Sequence, residues 1–349
     1  MCASSWVKQR PYIYELESDM KSFREKLFED INFSILLGLV ITVCVLSAIL
    51  FPNLMFSEAN IKSMAFQIPE FGFLALAMML SNLSGGIDLS IINIANTVSI
   101  FSAFTLNGTW LPLLPESFRI PAALLIAILS SVLFGIFNGI LISKTSAPSL
   151  ISTLGTMILF QGIGMALTSG VSVGNIVFSF TEFGKAEFYS VPVIFIVFAV
   201  VSILLTIFLE KTEFGREIYL YGENKVAARF SGINTGKVCA WTFILSAILS
   251  GISGLIILSR VNSAKVGYGS SYLLQTMIVC VVGGINPNGG SGRVRGVFLA
   301  IILMQIMSSA FTMLSLSPYT KKLIWGSVLI LVLGLNHLIG NINAKTERK

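Results

Sequence analysis

The chain is a succession of apolar stretches, each about as long as a bilayer-crossing helix, joined by links too short to form domains of their own. Crossing a hydrocarbon core as a helix takes about 20 residues. Ten segments are candidates: 31–51, 65–82, 89–107, 119–142, 147–168, 190–209, 238–259, 270–283, 295–313 and 320–337. The eighth is short, and it and the glycine-broken pair 65–82 and 89–107 are expected to include helices that stop inside the protein core. Only 11% of the 349 residues are charged, 54% are hydrophobic, and mean hydropathy is +0.85. An ordinary soluble domain carries about 25% charged residues, so the surplus apolar surface must face lipid. The expected fold class is an all-α polytopic membrane protein with about ten transmembrane helices. The same numbers exclude disordered, collagen-like and coiled-coil chains.

Lysine and arginine set the expected orientation. With the N-terminus inside and ten spans, sixteen of the 23 basic residues fall on the inner side and seven on the outer, which favours N-in and C-in. Lys321 and Lys322 run against this bias and would have to snorkel to the outer interface. The net charge of +6 sits between apolar blocks. Spread in this way over the links between spans, with no basic-aromatic patch, it marks topology, not a nucleic-acid surface. The expected organisation is a cytoplasmic segment over 1–30, a transmembrane domain over 31–337 with an inner loop at 210–237, and a cytoplasmic tail over 338–349. Phe23, Leu27 and Phe28 suit an amphipathic helix on the inner face; a solvated tail suits the same segment. Its late apolar run does not read as a signal peptide. The outer segment 169–189 reads as a lid or short hairpin.

No catalytic constellation is present. His337 is the one histidine, which rules out a histidine-cluster metal site. The four cysteines, Cys2, Cys44, Cys239 and Cys280, lack ligand spacing. No serine lies in GxSxG, and no GxxxxGK[ST] loop is available to hold a nucleotide. No catalytic residue, metal or cofactor is therefore expected on this chain.

Three short segments carry the functional information. The first, Ser81–Ser90, joins two apolar runs with almost no room for a solvated loop. Gly85 and Gly86 let a helix break there. Asp88, followed by Ser90, is suited to cap the next helix. A carboxylate at this depth is costly, so Asp88 is either a cap near the inner surface or part of a translocation path or gate. With Asn82 and Ser90 it joins other polar groups at expected membrane depth: Asn93, Asn96, Asn138, Gln161, Thr153, Thr156 and Gln305. Such groups bridge helices or line a path for a hydroxylated solute. Gly135 and Gly139, and Ser250 and Gly254, are spaced for close helix packing.

The second segment is the inner loop 210–237. Within it, Asn224 is a candidate cap, Ala227 and Ala228 favour helix, and Gly232 ends it. Lys225 and Arg229 fall four apart on one side. A short basic helix between two spans reads as a peg for a partner, or as a solvated topology loop. The third is 283–296, with Gly283, Gly284, Gly289, Gly290, Gly292 and Gly296. It reads as a tight cytoplasmic turn. Arg293 and Arg295 anchor the next span at the inner boundary or touch a cytoplasmic partner.

Five stretches resemble the permease subunits of bacterial ABC importers for ribose, related monosaccharides and the furanose-like signal autoinducer-2, with the nucleoside branch similar too. They are LALAMMLSNLSGGIDLS (74–90), STLGTMILFQGIGMALTSG (152–170), TEFGREIYLYGENKVAARFSGI (212–233), VVGGINPNGGSGRVRGVFLA (281–300) and SPYTKKLIWGSVLILVL (317–333). The resemblance covers about 30–340 in order. It implies a ten-span subunit, with some helices discontinuous, in the bacterial inner membrane, paired with a second permease subunit. Two ABC ATPase subunits carrying ATP and magnesium would sit below and an extracytoplasmic solute-binding protein above. It also implies that Glu223, Asn224, Lys225, Val226, Ala227, Ala228, Arg229, Phe230, Ser231, Gly232 and Ile233 form the coupling helix that enters a groove on the ATPase. Val226 replaces a glutamate common in the family pattern, Phe230 a leucine, and Ile91-Ile92 a Val-Gly pair. The mechanism so implied is alternating access powered by the partner ATPases. A nucleoside importer and an ion-coupled secondary transporter are the alternatives.

Overall fold

The computed structural model describes residues 33–145 and 147–346. The expected surface segment over 1–30 lies outside them, as do the last three residues. Thirteen helices and one two-stranded ribbon follow in order among the described residues. Helix α1 covers Phe33–Leu50, α2 Glu58–Leu83, α3 Ile91–Leu106, α4 Glu116–Thr145, α5 Ser149–Thr168 and α6 Phe178–Phe183. After strands β1 (Glu187–Phe188) and β2 (Val191–Pro192) come α7 Val193–Lys211, α8 Glu213–Glu223, α9 Lys225–Phe230 and α10 Thr235–Val261. The chain ends with α11 Tyr272–Val282, α12 Val294–Met313 and α13 Pro318–Thr346.

Seven of these, α1, α2, α4, α5, α7, α10 and α12, are long and apolar enough to cross a membrane. The chain is a multi-pass membrane protein. Helices α3 and α11 are apolar but short, at 16 and 11 residues. Helix α13 runs to Thr346, past the expected boundary at 337. Helix α2 starts seven residues before the expected 65 because Ser57 caps it, accepting the Asn60 N–H at 3.3 Å, and Glu58 favours its positive end. That polar first turn lies outside the apolar run by which the span is recognised.

Helices α2 and α10 form the centre of the bundle, each 78% buried over its most apolar window. Helices α1, α4, α5 and α7 bury only 17–33% of theirs. Apolar side chains on an outer helix face suit a lipid environment. Small residues bring α4 onto α10: a Cβ at Gly135 would stand 2.5 Å from the Ile244 Cα, and one at Gly139 2.6 Å from the Ala240 Cα. Gly254 does the same for α10 and α3, with the Ala95 carbonyl oxygen 2.2 Å from where a Cβ would sit. Backbones approach closely there because no side chain intervenes.

Segment 169–189 contains α6 and β1, which pairs with β2 as a tight hairpin, Glu187 opposite Pro192 and Phe188 opposite Val191. Tyr189 and Ser190 both take positive φ, 49° and 65°, as a two-residue turn with the right twist demands. Glu187 pairs with Lys62 at 2.7 Å, fastening the hairpin to α2.

Candidate functional site

The break between α2 and α3 is built from the Gly-Gly pair outward. The Gly85 N–H donates to the Asn82 carbonyl at 2.9 Å and the Gly86 N–H to the Ser81 carbonyl at 3.0 Å, with Gly85 at φ 69°. This is the doubly bonded glycine ending that closes a helix and turns the chain away. The turned segment is stapled to the first turns of α5. Ser149 Oγ accepts the Ile87 N–H at 3.2 Å. Thr153 Oγ1 accepts the Leu89 N–H at 3.2 Å and donates to the Ile87 carbonyl at 2.9 Å. Backbone that would be orphaned inside a membrane protein is thus paired by side chains.

Asp88 is fully buried. Its Oδ1 accepts the Ser90 N–H at 3.0 Å and the Ser90 hydroxyl at 2.6 Å, and Ser246 of α10 donates to Oδ2 at 3.4 Å. Asn138 of α4 donates to Ser90 Oγ at 2.8 Å. The expected cap differs in detail: the carboxylate takes the Ser90 N–H, not that of a residue within the first turn of α3. It also knots the break to α4 and α10. The side-chain oxygens of Asn138 and Asn82 are buried without a partner among the described residues.

The other polar groups at depth are mostly occupied by neighbouring backbone. Asn93 donates to the Met157 carbonyl at 3.0 Å, Thr97 to Phe160 at 2.9 Å and Asn96 to Tyr268 at 3.1 Å. They fasten α3 to α5 and to the α10–α11 link. Gln161 is half-buried on α5.

The inner loop is more ordered than its polarity indicates. Residues 213–223, which read as loop, form α8, capped by Thr212 Oγ1 on the Gly215 N–H at 3.0 Å. Glu223 therefore ends α8 and does not begin the peg. Asn224 starts α9, its Oδ1 accepting the Val226 and Ala227 N–H groups at 3.0 Å each. Gly232, at φ 85°, closes α9, with the Ile233 N–H on the Ala228 carbonyl at 3.1 Å. Ala228 is the residue of α9 that is buried, against the chain itself; it does not stand among the outward small positions. Val226 and Phe230 are 64% and 89% exposed. Lys225 lies 5.2 Å from the centre of the Tyr221 ring, and burial pushes the Tyr221 phenol above its usual range. Helix α9 thus presents two apolar side chains four residues apart, flanked by Lys225 and Arg229.

The turn over 283–296 packs on both preceding segments. The Gly290 N–H donates to the Leu83 carbonyl at the end of α2 at 3.0 Å. Tyr219 Oη of α8 donates to the Gly292 carbonyl at 2.9 Å. Arg293 immediately precedes α12, and the Arg295 guanidinium lies 5.3 Å from the Phe33 ring of α1.

One charged cluster lies outside the three segments that the sequence marks. Glu70 of α2 pairs with Arg260 at the end of α10 and accepts from Tyr272 Oη of α11 at 3.1 Å. Arg260 also donates to the Phe66 carbonyl at 3.1 Å. An acid within an apolar run is the signal that marks Glu70; its partners lie 190 and 202 residues away. Among the described residues, no three His, Cys, Asp or Glu side chains gather to hold a metal.

The family described as branched-chain amino acid transport system / permease component matches residues 60–333. The ribose import permease protein RbsC of Bacillus subtilis (strain 168) is 30% identical over 302 residues, 86% of this chain and 91% of that protein. RbsC of Haemophilus influenzae is 32% identical over 310 residues, 86% and 92%. The autoinducer 2 import system permease protein LsrD of Yersinia enterocolitica is 30% identical over 283 residues, 78% and 83%. No solved structure matches the chain. With 274 of its 349 residues inside the matched region, the chain belongs to the branched-chain amino acid transport system / permease component family.

Proposed function

We propose that this chain is the membrane-spanning permease subunit of an ATP-driven, binding-protein-dependent importer of a monosaccharide or furanose-like solute, ribose and autoinducer-2 being the leading candidates. The observation that carries the reading is α9. Two large apolar side chains, Val226 and Phe230, stand exposed on a capped helix that the chain's own body buries only at Ala228. A surface of that kind belongs against a partner, and the relatives named above are import permeases. The partner at α9 is an ABC ATPase subunit, which holds ATP and magnesium. Two such subunits serve a pair of permease subunits, and a solute-binding protein docks on the opposite face.

In this reading the ten apolar helices α1–α5, α7 and α10–α13 make ten spans in the bacterial inner membrane, with both termini inside. The path or gate lies at the α2–α3 break around Gly85, Gly86, Asp88 and Ser90. A neutral polyhydroxy solute suits a core whose polar groups are mainly amides and hydroxyls. ATP binding closes the ATPase pair, α9 carries the movement inward, and the bundle opens to the receptor before hydrolysis resets it.

Purification of the tagged chain from its native membrane tests the assembly. An ATP-binding subunit and a second permease chain are expected to co-purify. Their absence, together with uptake driven by an ion gradient, would overturn the reading.

A further inference from the structure

The three segments that the sequence marks separately meet at one point. Gly222 and Glu223, the last two residues of α8, are separated from α9 only by its cap, Asn224. A Cβ at Gly222 would stand 1.9 Å from the Leu83 carbonyl oxygen and 2.6 Å from the Gly290 nitrogen. One at Gly289 would stand 2.6 Å from the Gly85 Cα and 2.7 Å from the Gly222 carbonyl oxygen. One at Gly290 would stand 2.7 Å from the Glu223 Cα. The end of α2, the end of α8 and the α11–α12 turn are therefore in backbone-to-backbone contact, with no side chain between them. The Gly290–Leu83 and Tyr219–Gly292 hydrogen bonds cross the same point at 3.0 and 2.9 Å.

We infer that this glycine junction is the transmission joint of the permease: it converts displacement of α9 into displacement of the α2–α3 break. The inference rests on the importer reading. The physical ground is stiffness. Side chains hop between rotamers and absorb small shifts, whereas close-packed backbone does not compress and passes strain on. The break is in turn held to α5 by Ser149 and Thr153, and to α4 and α10 through Asp88, Ser90 and Asn138. A push on α9 thus reaches the centre of the bundle through backbone contacts and a few short bonds. The glycines are required because any Cβ would part the three segments. Gly289 and Gly290, at φ 95° and 79°, would also strain any other residue.

The test is uptake per ATP hydrolysed, measured on the complete importer in proteoliposomes with its own receptor and ATPase. Two variants, Gly290→Ala and Tyr219→Phe, probe the joint. Gly236→Ala is the control, since a Cβ there meets nothing closer than 3.7 Å. The expected result is an assembled Gly290→Ala complex that hydrolyses ATP but transports roughly ten-fold less solute per ATP. Tyr219→Phe adds no bulk, so it decides the matter if Gly290→Ala fails to insert; its expected loss is about two- to ten-fold. Gly236→Ala keeps the wild-type ratio. A wild-type ratio in Tyr219→Phe and in any inserted Gly290→Ala would overturn the joint alone. Absence of ATP-driven uptake by the wild type would overturn the importer reading and the joint with it.

Discussion

Arg260 at the end of α10 reaches across to Glu70 in the middle of α2 and ion-pairs with it. The pair ties together the two most buried helices of the bundle, and Tyr272 brings in α11 through the same carboxylate. Removing one partner from a buried pair leaves an uncompensated charge, costing about 3–5 kcal/mol when burial is complete. Arg260 keeps 24% of its side chain exposed, so the cost here is expected below that range. Arg260→Ala should lower the melting temperature of the purified protein, and adding Glu70→Gln should recover part of the loss. Equal melting of the single and double variants would contradict the pairing.

Asp88 makes a second, independent prediction. Its Oδ1 accepts both the N–H and the hydroxyl of Ser90. Asp88→Asn retains an acceptor at that position, while Asp88→Ala leaves buried donors without one, at about 1–3 kcal/mol each. Thermal unfolding should rank wild type, then Asn, then Ala. An alanine variant as stable as the wild type would remove Asp88 from the knot.

The α9 surface separates docking from folding. Phe230 is 89% exposed, so Phe230→Ala should change stability by no more than about 0.5 kcal/mol. ATPase recovery in pull-down should nevertheless fall by roughly ten-fold or more, as for a central interface residue. Ala228→Trp should also block docking or uptake with insertion intact, through displacement of α9, because Ala228 is buried. Full ATPase recovery with Phe230→Ala would place the contact elsewhere.

Orientation is open to impermeant thiol labelling in intact cells, with Cys2 and Cys44 changed to Ser. Tyr189→Cys, in the exposed hairpin turn, should label from outside. Phe230→Cys should label only after permeabilisation. The reverse pattern would invert the topology.

Much of this architecture is legible in the sequence because membrane burial writes itself into composition. Runs of apolar residues locate most of the long helices to within a few positions, although α2 begins seven residues before its run and α13 ends nine residues after its own, and the paired glycines at 85 and 86 mark the break. The cap at Asn224 and the stop at Gly232 mark α9. Helix α8 is not legible in the same way: it carries too little apolar residue to stand out as a span, and its charged, aromatic sequence reads as loop. Ser149 and Thr153 look like ordinary α5 residues until the break folds back onto them. Glu70 with Arg260, and the meeting of Gly85, Gly222 and Gly290, depend on contacts between residues far apart in the chain. No local pattern encodes those contacts.

Flux measures ATP-driven import directly. Proteoliposomes holding this chain with its co-purified ATPase would be given the cognate receptor and labelled ribose, hexoses, autoinducer-2 and nucleosides. ATP-driven import predicts accumulation of a sugar or furanose-like solute that requires both ATP and receptor. Accumulation driven by an ion gradient alone, without ATP or receptor, would contradict it.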